Sequence, residues 1–400
     1  MLTPEPTLDD AALAEVRSLI GVPLRRDRMQ FIESATDDSI RHFAEGIADD
    51  NPLWRDPTYA AESRWGGLLA PPSILYAVDA TIVAPKLAGW QWIYAGTRFT
   101  WFDVIRAGDT FDATATLVDV ELKSGRRFSS WALQSGQVDY RIRGSNRLLA
   151  TAIGRTARTP RQQPAPRPAP EGPPRRRDRE VIDLADLVGD LTPQVRRGSR
   201  PRWAEDVAIG DAVGPLVRGP LRLDDIVRWY RGAQGALHYG GAHGDAVRYR
   251  QRHRDYETNT RTGAKDATAR GHFQAEEGRA VGMEGAYDVG PQRISWAASM
   301  LTDWAGDDGF LCHLSVDVLK PNLVGHTTAW TGQVVAMDAV GNNHMAGLTI
   351  VAHNQFGDVT ARGQASVALP SRAHGEVQLP LSESDAAVAA RLPSELNARG

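Results

Sequence analysis

Two stretches in the first half of this chain recur in the second half at nearly the same spacing. Gly108-Asp109-Thr110 is matched by Gly325-His326-Thr327, and Trp54 is matched by His272. The spacings of the two matches differ by a single position, and such agreement over so long a distance indicates a duplicated structural unit. The chain has 400 residues, which is enough for two such units and a sizeable core.

Each unit combines predicted helices with a set of predicted strands. In the first unit, 73–83 reads as a buried helix, and the strands are predicted at 94–104, 111–117, 138–142 and 148–157. Apolar and polar residues alternate in these strands, as in half-buried antiparallel sheets.

The second unit follows the same plan. Helices are predicted at 222–235 and 291–304, and strands at 310–320, 327–338, 345–356 and 360–369. The predicted class is α+β, because each unit is a sheet layered on a helix. A sheet wrapped around one central helix is the hotdog shape, so we expect a tandem, or double, hotdog.

His272 stands out because it precedes the central helix of the second unit. Gly290-Pro291 suits a helix start, since proline lacks a donor that the first turn does not use. Ile294, Ala297 and Leu301 form one apolar face of that helix. The free N–H groups at such a helix start can hold a carbonyl oxygen that gains negative charge. A solvated loop before a core helix is the alternative interpretation.

The predicted domain boundaries follow a change in composition. We expect an N-terminal unit at 1–158, a Pro/Arg-rich linker at 159–200, a C-terminal unit at 201–370 and a tail at 371–400. Seven prolines and six arginines occupy 160–179, which is typical of a stiff, extended linker. The C-terminal unit carries a long polar insertion at 236–271.

Composition and charge narrow the functional classes. The net charge is −3, so no nucleic-acid or membrane partner is expected, and no apolar segment approaches the length of a membrane span. No secretory leader is evident, and the single cysteine, Cys312, fits a reducing cytoplasm. We expect no cofactor and no metal, because the histidines of the insertion lack the spacing of a zinc site.

Residues 49–60, DDNPLWRDPTYA, resemble the MaoC-like acyl-thioester dehydratases and hydratases. That family carries Asp-x-Asn-Pro-x-His-x-Asp, and the chain keeps Asp49, Asn51, Pro52 and Asp56 of it. The catalytic histidine of the pattern falls on Trp54. The first unit therefore resembles the degenerate half of a double-hotdog dehydratase, which mainly shapes the acyl pocket.

The second unit keeps the histidine of the pattern and departs from it elsewhere. His272 matches the family histidine and Gly282 the family glycine, whereas the catalytic aspartate falls on Ala267. Asp266 lies one position further away. Residues 287–293 also resemble the Tyr-Asp-x-Gly-x-x-Arg entry to the central helix found in a long-insert subgroup of the family.

The resemblance implies an enzyme that interconverts 3-hydroxyacyl and 2-enoyl thioesters of CoA or of a carrier protein. His272 takes the acid–base role, and Asp266 or Asp288 is its carboxylate partner. Gly290 and Tyr287 are expected to hold the thioester oxygen. The residues of the degenerate motif are Asp49, Asn51 and Trp54. Independently of the resemblance, Arg248, Arg250 and Arg252 of the insertion would line one face of a strand and are expected to bind phosphates; a solvated charged loop is the alternative interpretation.

Three alternatives to that interpretation stay open. Asp49 is expected to be a capping group, although a composite site that joins Asp49 to His272 is conceivable. The chain is alternatively a non-catalytic thioester-binding subunit of a hetero-complex, or it catalyses ring closure or isomerisation of a thioester. Since one chain already supplies a hotdog pair, both a homodimer and a hetero-complex are compatible with the sequence.

Overall fold

The computed structural model describes residues 8–24, 30–87, 90–125, 130–160, 196–234, 247, 262–263 and 268–394. The first unit begins with α1 (Asp10–Arg17), β1 (Pro23–Leu24) and α2 (Asp37–Gly46), followed by α3 (Pro57–Glu62) and α4 (Leu75–Val78). Its sheet contains β2 (Gln91–Trp101), β3 (Phe111–Lys123), β4 (Trp131–Ile142) and β5 (Arg147–Thr159). The strands predicted for this unit are confirmed, with longer bounds for most of them.

The second unit repeats this order. It contains β6 (Ala212–Arg218), α5 (Leu223–Trp229), a π-helical turn (Tyr230–Gln234), α6 (Ala275–Ala280) and the long central helix α7 (Gly290–Ala305). Its other strands are β7 (Phe310–Val318), β8 (Thr328–Val340), β9 (Asn343–Asn354) and β10 (Val359–Leu369), and α8 (Glu383–Arg391) follows them. Short 3₁₀ helices lie at Pro52–Trp54, Pro72–Ile74, Ala204–Asp206 and Thr268–His272. No helix in the described ranges is both long and apolar enough to cross a bilayer.

The ten strands that the structure describes join into one antiparallel sheet. Their order is β1-β3-β4-β5-β2-β7-β10-β9-β8-β6, so the two units meet where β2 pairs with β7. In that seam Thr97 lies opposite Val316 and Phe99 lies opposite Leu314. The helix α7 contacts β2 of the first unit as well as four strands of the second. The expected tandem hotdog is thereby confirmed.

The backbone confirms the repeat that the sequence indicates. Gly108 and Gly325 both adopt left-handed φ angles, of 93° and 94°, a region that glycine enters without strain. The amide of Ala70 donates to the carbonyl of Ile105 at 2.9 Å, and that of Asp288 donates to Asn322 at 2.8 Å. Equivalent residues thus make equivalent hydrogen bonds in both units.

The central helices of the two units differ in length. A helix predicted over 73–83 ends at Val78 instead, whereas α7 continues for 16 residues. The Asp79 carboxylate accepts the Thr81 amide at 2.8 Å, a local bond that competes with helix, and Thr81 has a φ of 59°. The prediction was therefore wrong beyond Val78.

The extended segment after Val78 crosses the sheet above a glycine. A Cβ at Gly154 would lie 1.9 Å from the carbonyl oxygen of Thr81, so only glycine leaves room for the crossing. The buried Arg158 side chain then donates to the carbonyls of Ala84, Lys86 and Leu87. These bonds hold the segment in the place where the second half of a central helix would lie.

The residues after β10, predicted as a tail, pack on the sheet. Ala386 and Ala389 of α8 and the following Leu392 are buried, and the Ser366 hydroxyl of β10 donates to the Ala389 carbonyl at 2.6 Å. Leu381 also donates its amide to the Phe102 carbonyl of the first unit at 2.7 Å. The described part of this segment, up to residue 394, therefore belongs to the folded body.

Candidate active site

His272 ends the 3₁₀ helix Thr268–His272, and its ring is fixed by one backbone hydrogen bond. Its Nδ1 lies 3.0 Å from the carbonyl oxygen of Tyr287. Because a carbonyl only accepts, Nδ1 carries the proton and Nε2 keeps a lone pair. The histidine is thus held in the tautomer that a base at Nε2 requires.

Aromatic rings surround this histidine. The Tyr287 ring lies 4.4 Å from the His272 ring between centroids, and the Tyr230 ring lies 6.2 Å away. Burial lowers the pKa of His272 below its ordinary value, while the bond to Tyr287 and the charge of Asp288 oppose that shift. The ring is therefore neutral near pH 7, in the state that accepts a proton.

Asp288, one of the two predicted carboxylate partners, is engaged by an arginine. Arg293 donates to it through Nε at 2.7 Å and through a terminal nitrogen at 2.5 Å, and both side chains are buried. The same carboxylate accepts the Asn322 amide at 3.0 Å. Asp288 thus anchors the turn whose preceding carbonyl, that of Tyr287, holds His272.

Gly290 is the first residue of α7, as the sequence predicts. Its amide is one of those that a helix leaves without an intrahelical acceptor. A Cβ at this position would lie 2.7 Å from Cδ1 of Tyr94, a residue of β2. The first unit therefore packs against the helix start, and a side chain at residue 290 would displace one of the two.

The loop that carries His272 is supported from below by a buried ion pair. Arg270 donates to Glu277 of α6, and both residues are buried. A Cβ at Gly278 would lie 2.2 Å from the Gly285 carbonyl oxygen, so the loop and α6 pack closely. Gly282, the residue matched to the family glycine, has a φ of 85°. These contacts hold the histidine loop against α6.

Several predicted site residues lie outside the described residues. They are Asp266, Arg248, Arg250 and Arg252, together with most of the insertion 236–271 and of the linker 159–200. Their proposed roles stay predictions. Among the residues that are described, no group of three or more His, Cys, Asp or Glu side chains is placed to hold a metal ion.

The degenerate motif of the first unit forms a capped turn. The Asp49 carboxylate accepts the Asn51 amide at 3.0 Å, and the Asn51 side chain accepts the Leu53 amide at 3.0 Å. Trp54, which stands where the family has histidine, is only 4% exposed. Asn51 and Trp54 also line a cavity of about 50 Å³ next to the C-terminal end of α7. This volume accommodates a few waters and not an acyl chain.

Asp49 faces α7 of the second unit and not His272. The Ser299 hydroxyl donates to its second carboxylate oxygen at 2.7 Å. Arg196 lies 3.9 Å from Asp49 and donates through Nε to Asp303 at 2.7 Å. No contact joins Asp49 to His272, although both residues are described. The structure therefore does not assemble the conceivable composite site.

The sequence patterns did not predict that Tyr230 lies beside His272. Its ring lies 5.0 Å from Phe273 as well as near His272, and it is 8% exposed. The part of the second unit before the insertion aligns with the first unit at a shorter residue spacing than the part after it. The amide of Gly108 donates to the Ala35 carbonyl, and the amide of its counterpart Gly325 donates to the Leu221 carbonyl. Ala35 therefore corresponds to Leu221. At that spacing Tyr230 is the counterpart of Ala44.

Comparisons with known proteins agree with this architecture. Residues 19–131 match the family described as FAS1-like, dehydratase domain region. A UPF0336 protein of Thermobifida fusca is 32% identical over 93 residues, which are 22% of this chain and 61% of that protein. A UPF0336 protein of Streptomyces avermitilis is 26% identical over 95 residues, 22% of this chain and 63% of its own length. The chain thus spans less than two thirds of these relatives.

The likeness in fold extends over most of the chain. A solved structure named MaoC-like dehydratase aligns with a TM-score of 0.62 and 16% sequence identity. The alignment covers 89% of this chain and 99% of that one. At this identity the likeness concerns the fold, and the sequence match concerns the first unit. Together they agree with the resemblance predicted from the sequence: the fold is a double hotdog similar to that of a MaoC-like dehydratase, and residues 19–131 of the first unit match the FAS1-like dehydratase region.

Proposed function

We propose that this protein is a hydro-lyase that interconverts a 3-hydroxyacyl thioester and a 2-enoyl thioester. One observation carries the proposal: His272 is held neutral, with Nδ1 bonded to the Tyr287 carbonyl at 3.0 Å and Nε2 left as the base. It sits beside the start of a central helix in a hotdog unit. A neutral imidazole beside a helix start, where the first amides have no intrahelical acceptor, suits removal of a proton α to a carbonyl.

In this reaction His272 takes the proton from C2 of the 3-hydroxyacyl thioester. The electron pair of that C–H bond becomes the C2–C3 double bond, and the C3–O bond breaks. His272 then returns the proton to the departing hydroxyl, which leaves as water. The Gly290 amide, at the positive end of α7, stabilises the negative charge that develops on the thioester oxygen.

The first unit would serve this site as a wall without a base of its own. Tyr94 packs against Gly290, and the Gln91 side chain donates to the Val281 carbonyl near the histidine loop at 3.4 Å. Trp54 occupies the position of the histidine in that unit. These contacts support a single catalytic site per chain, in the second unit.

The partner of the reaction would be a thioester of CoA or of an acyl-carrier protein. The arginines expected to meet its phosphates belong to the insertion, outside the described residues. Cys312 is a buried free thiol, which is compatible with a reducing compartment. We therefore infer that the chain acts on an acyl thioester of CoA or of a carrier protein in the cytoplasm.

The test is mass spectrometry of the purified chain incubated with a panel of 2-enoyl-CoA thioesters. Hydration adds about 18 mass units, and His272→Ala should lower turnover by at least about a hundredfold. His353→Ala, on β9 and half-buried, is the matched histidine control and should keep wild-type turnover. Wild-type turnover in His272→Ala would overturn the assignment.

The hydrogen bonds of Asp288 support a second candidate function. This carboxylate contributes charge near His272, yet Arg293 and the Asn322 amide occupy its oxygens. A histidine without a carboxylate partner can move a proton without loss of water, as in isomerisation or ring closure. Alternatively, a partner chain in a hetero-complex supplies the carboxylate. Products of unchanged mass would favour the first of these, and activity only after addition of a co-purifying chain would favour the second.

A further inference from the structure

Tyr230 lies next to His272 although a long insertion separates the two in sequence. The helix α5 ends at Trp229, and Tyr230 opens the π-helical turn that follows it. Turns of this kind are frequent at functional sites. The Tyr230 ring lies 6.2 Å from the His272 ring and 5.0 Å from the Phe273 ring. It therefore forms part of the wall around the histidine.

Close backbone packing fixes the position of this turn. A Cβ at Gly232 would lie 2.4 Å from the His42 carbonyl oxygen, and a Cβ at Gly46 would lie 3.0 Å from the Arg228 carbonyl oxygen. The two glycines are counterparts, related by the same offset as Ala35 and Leu221. α2 and the π-helical turn after α5 thus pack together through a glycine on each of them, and this close packing leaves Tyr230 little freedom to move.

The Tyr230 hydroxyl is available as a donor. In the part of the chain that the structure describes, it has no hydrogen-bond partner, although the residue is only 8% exposed. Burial raises the pKa of Tyr230 well above its ordinary value, so the hydroxyl keeps its proton at any pH at which an enzyme works. Among the described residues no hydrogen bond occupies the hydroxyl, so it can donate one to a bound ligand.

The two units supply an internal comparison. The unit that keeps the histidine has Tyr230, whereas the unit with Trp54 has Ala44 at the equivalent place. Ala44 is fully buried, and its carbonyl accepts the Asp49 amide at 2.9 Å. The tyrosine and the histidine are thus present together in one unit and absent together from the other, which indicates a shared role.

We propose that Tyr230 is a catalytic residue whose hydroxyl donates a hydrogen bond to the oxygen that leaves C3 as water. It takes the part that the missing aspartate, replaced by Ala267, would play in holding that oxygen. The proton taken from C2 by His272 Nε2 is the one delivered to the leaving oxygen, so Tyr230 keeps its own proton and no further reactant is needed. This inference rests on the proposed hydro-lyase function.

The test compares two tyrosine variants in the full-length chain. Tyr230→Phe removes one atom that has no described partner, so we expect an unchanged or higher melting temperature and a kcat lower by about a hundredfold. KM should change by less than about threefold, because the loss falls on the transition state. Tyr140→Phe is the matched control: its hydroxyl donates to the Asp79 carbonyl at 2.9 Å, so it should melt earlier and keep its kcat.

The outcomes separate this inference from the function on which it rests. A wild-type chain that hydrates no thioester would overturn both. Loss of activity in His272→Ala together with wild-type kcat in Tyr230→Phe would overturn only the role of Tyr230, and loss of activity in Asp266→Asn would then point to that carboxylate. A fall in melting temperature in Tyr230→Phe that matches Tyr140→Phe would make the hydroxyl structural and would also overturn the proposal.

Discussion

The Asp288–Arg293 pair is a fully buried ion pair of the second unit, and its disruption is expected to destabilise the fold. Arg293→Met keeps a stem of similar length and removes two bonds to Asp288, at 2.7 and 2.5 Å. It also removes donors from the Lys320 and Thr360 carbonyls, at 2.6 and 3.0 Å. Asp288, 3% exposed, keeps only the Asn322 amide as a described donor. Loss of one partner from a buried pair costs about 3–5 kcal/mol, so we expect a loss of about 4 kcal/mol in unfolding free energy.

Urea denaturation followed by tryptophan fluorescence measures this loss. Arg372→Met is the matched control, because Arg372 binds Asp206 at the same two distances of 2.7 and 2.5 Å while about half exposed. We expect no resolvable change there, since exposed pairs are screened by solvent. The double variant Asp288→Asn, Arg293→Met should recover part of the loss by removing the unpaired charge. A cost below about 1 kcal/mol for Arg293→Met would refute the reasoning.

Three further predictions concern ionisation and the repeat. Since burial lowers the pKa of His272, kcat/KM should rise with pH to a plateau whose midpoint lies below about 6.5; a midpoint above 7 in a pH–rate profile would contradict a buried neutral base. Adding Trp54→His to His272→Ala should leave the chain inactive, because Ser299 and the Asn51 amide hold Asp49; restored hydration in the mass assay would contradict this. Burial and then the charge of Asp49 raise the pKa of Asp303 to about 6, above its unfolded value near 3.9. The folded state therefore binds that proton more tightly, and stability from this group is lost as pH rises from about 4 to about 6. Asp303→Asn should flatten this part of the curve, and an unchanged slope of urea midpoints against pH would count against it.

Periodicity and the repeat predicted most of the fold because they report local burial. The central helix predicted at 291–304 is found at Gly290–Ala305, where proline and the apolar face define it. The first-unit helix was predicted too long because Asp79 and Thr81 form a side-chain bond that competes with helix. The packing of residues after β10 was not predicted, since small alanines with weak periodicity carry little signal.

The residues of the candidate site differ in how far a sequence motif marks them. His272 and Gly290 follow from the motif and from the helix start. The ion pair between Asp288 and Arg293 could not be predicted from the sequence, although the two residues lie only five positions apart, because it depends on the geometry of the turn before α7. The place of Tyr230 can be predicted only from the alignment of α5 with α2 of the first unit. The spacing between Trp54 and His272 does not give that alignment, because the insertion lies between α5 and His272.

The seam between β2 and β7 has a consequence for synthesis. Thr97 of β2 pairs with Val316 of β7 in the seam, and this pair cannot form until β7 has been synthesised. The ribosome adds that partner about 220 residues later, so at about 5–20 residues per second the delay is roughly 10–45 s. During this time β2 is an open sheet edge, and open edges attract other strands. Nascent first units are therefore exposed to pairing with one another on polysomes, and a chaperone that shields the edge until β7 emerges should raise the yield of folded chain.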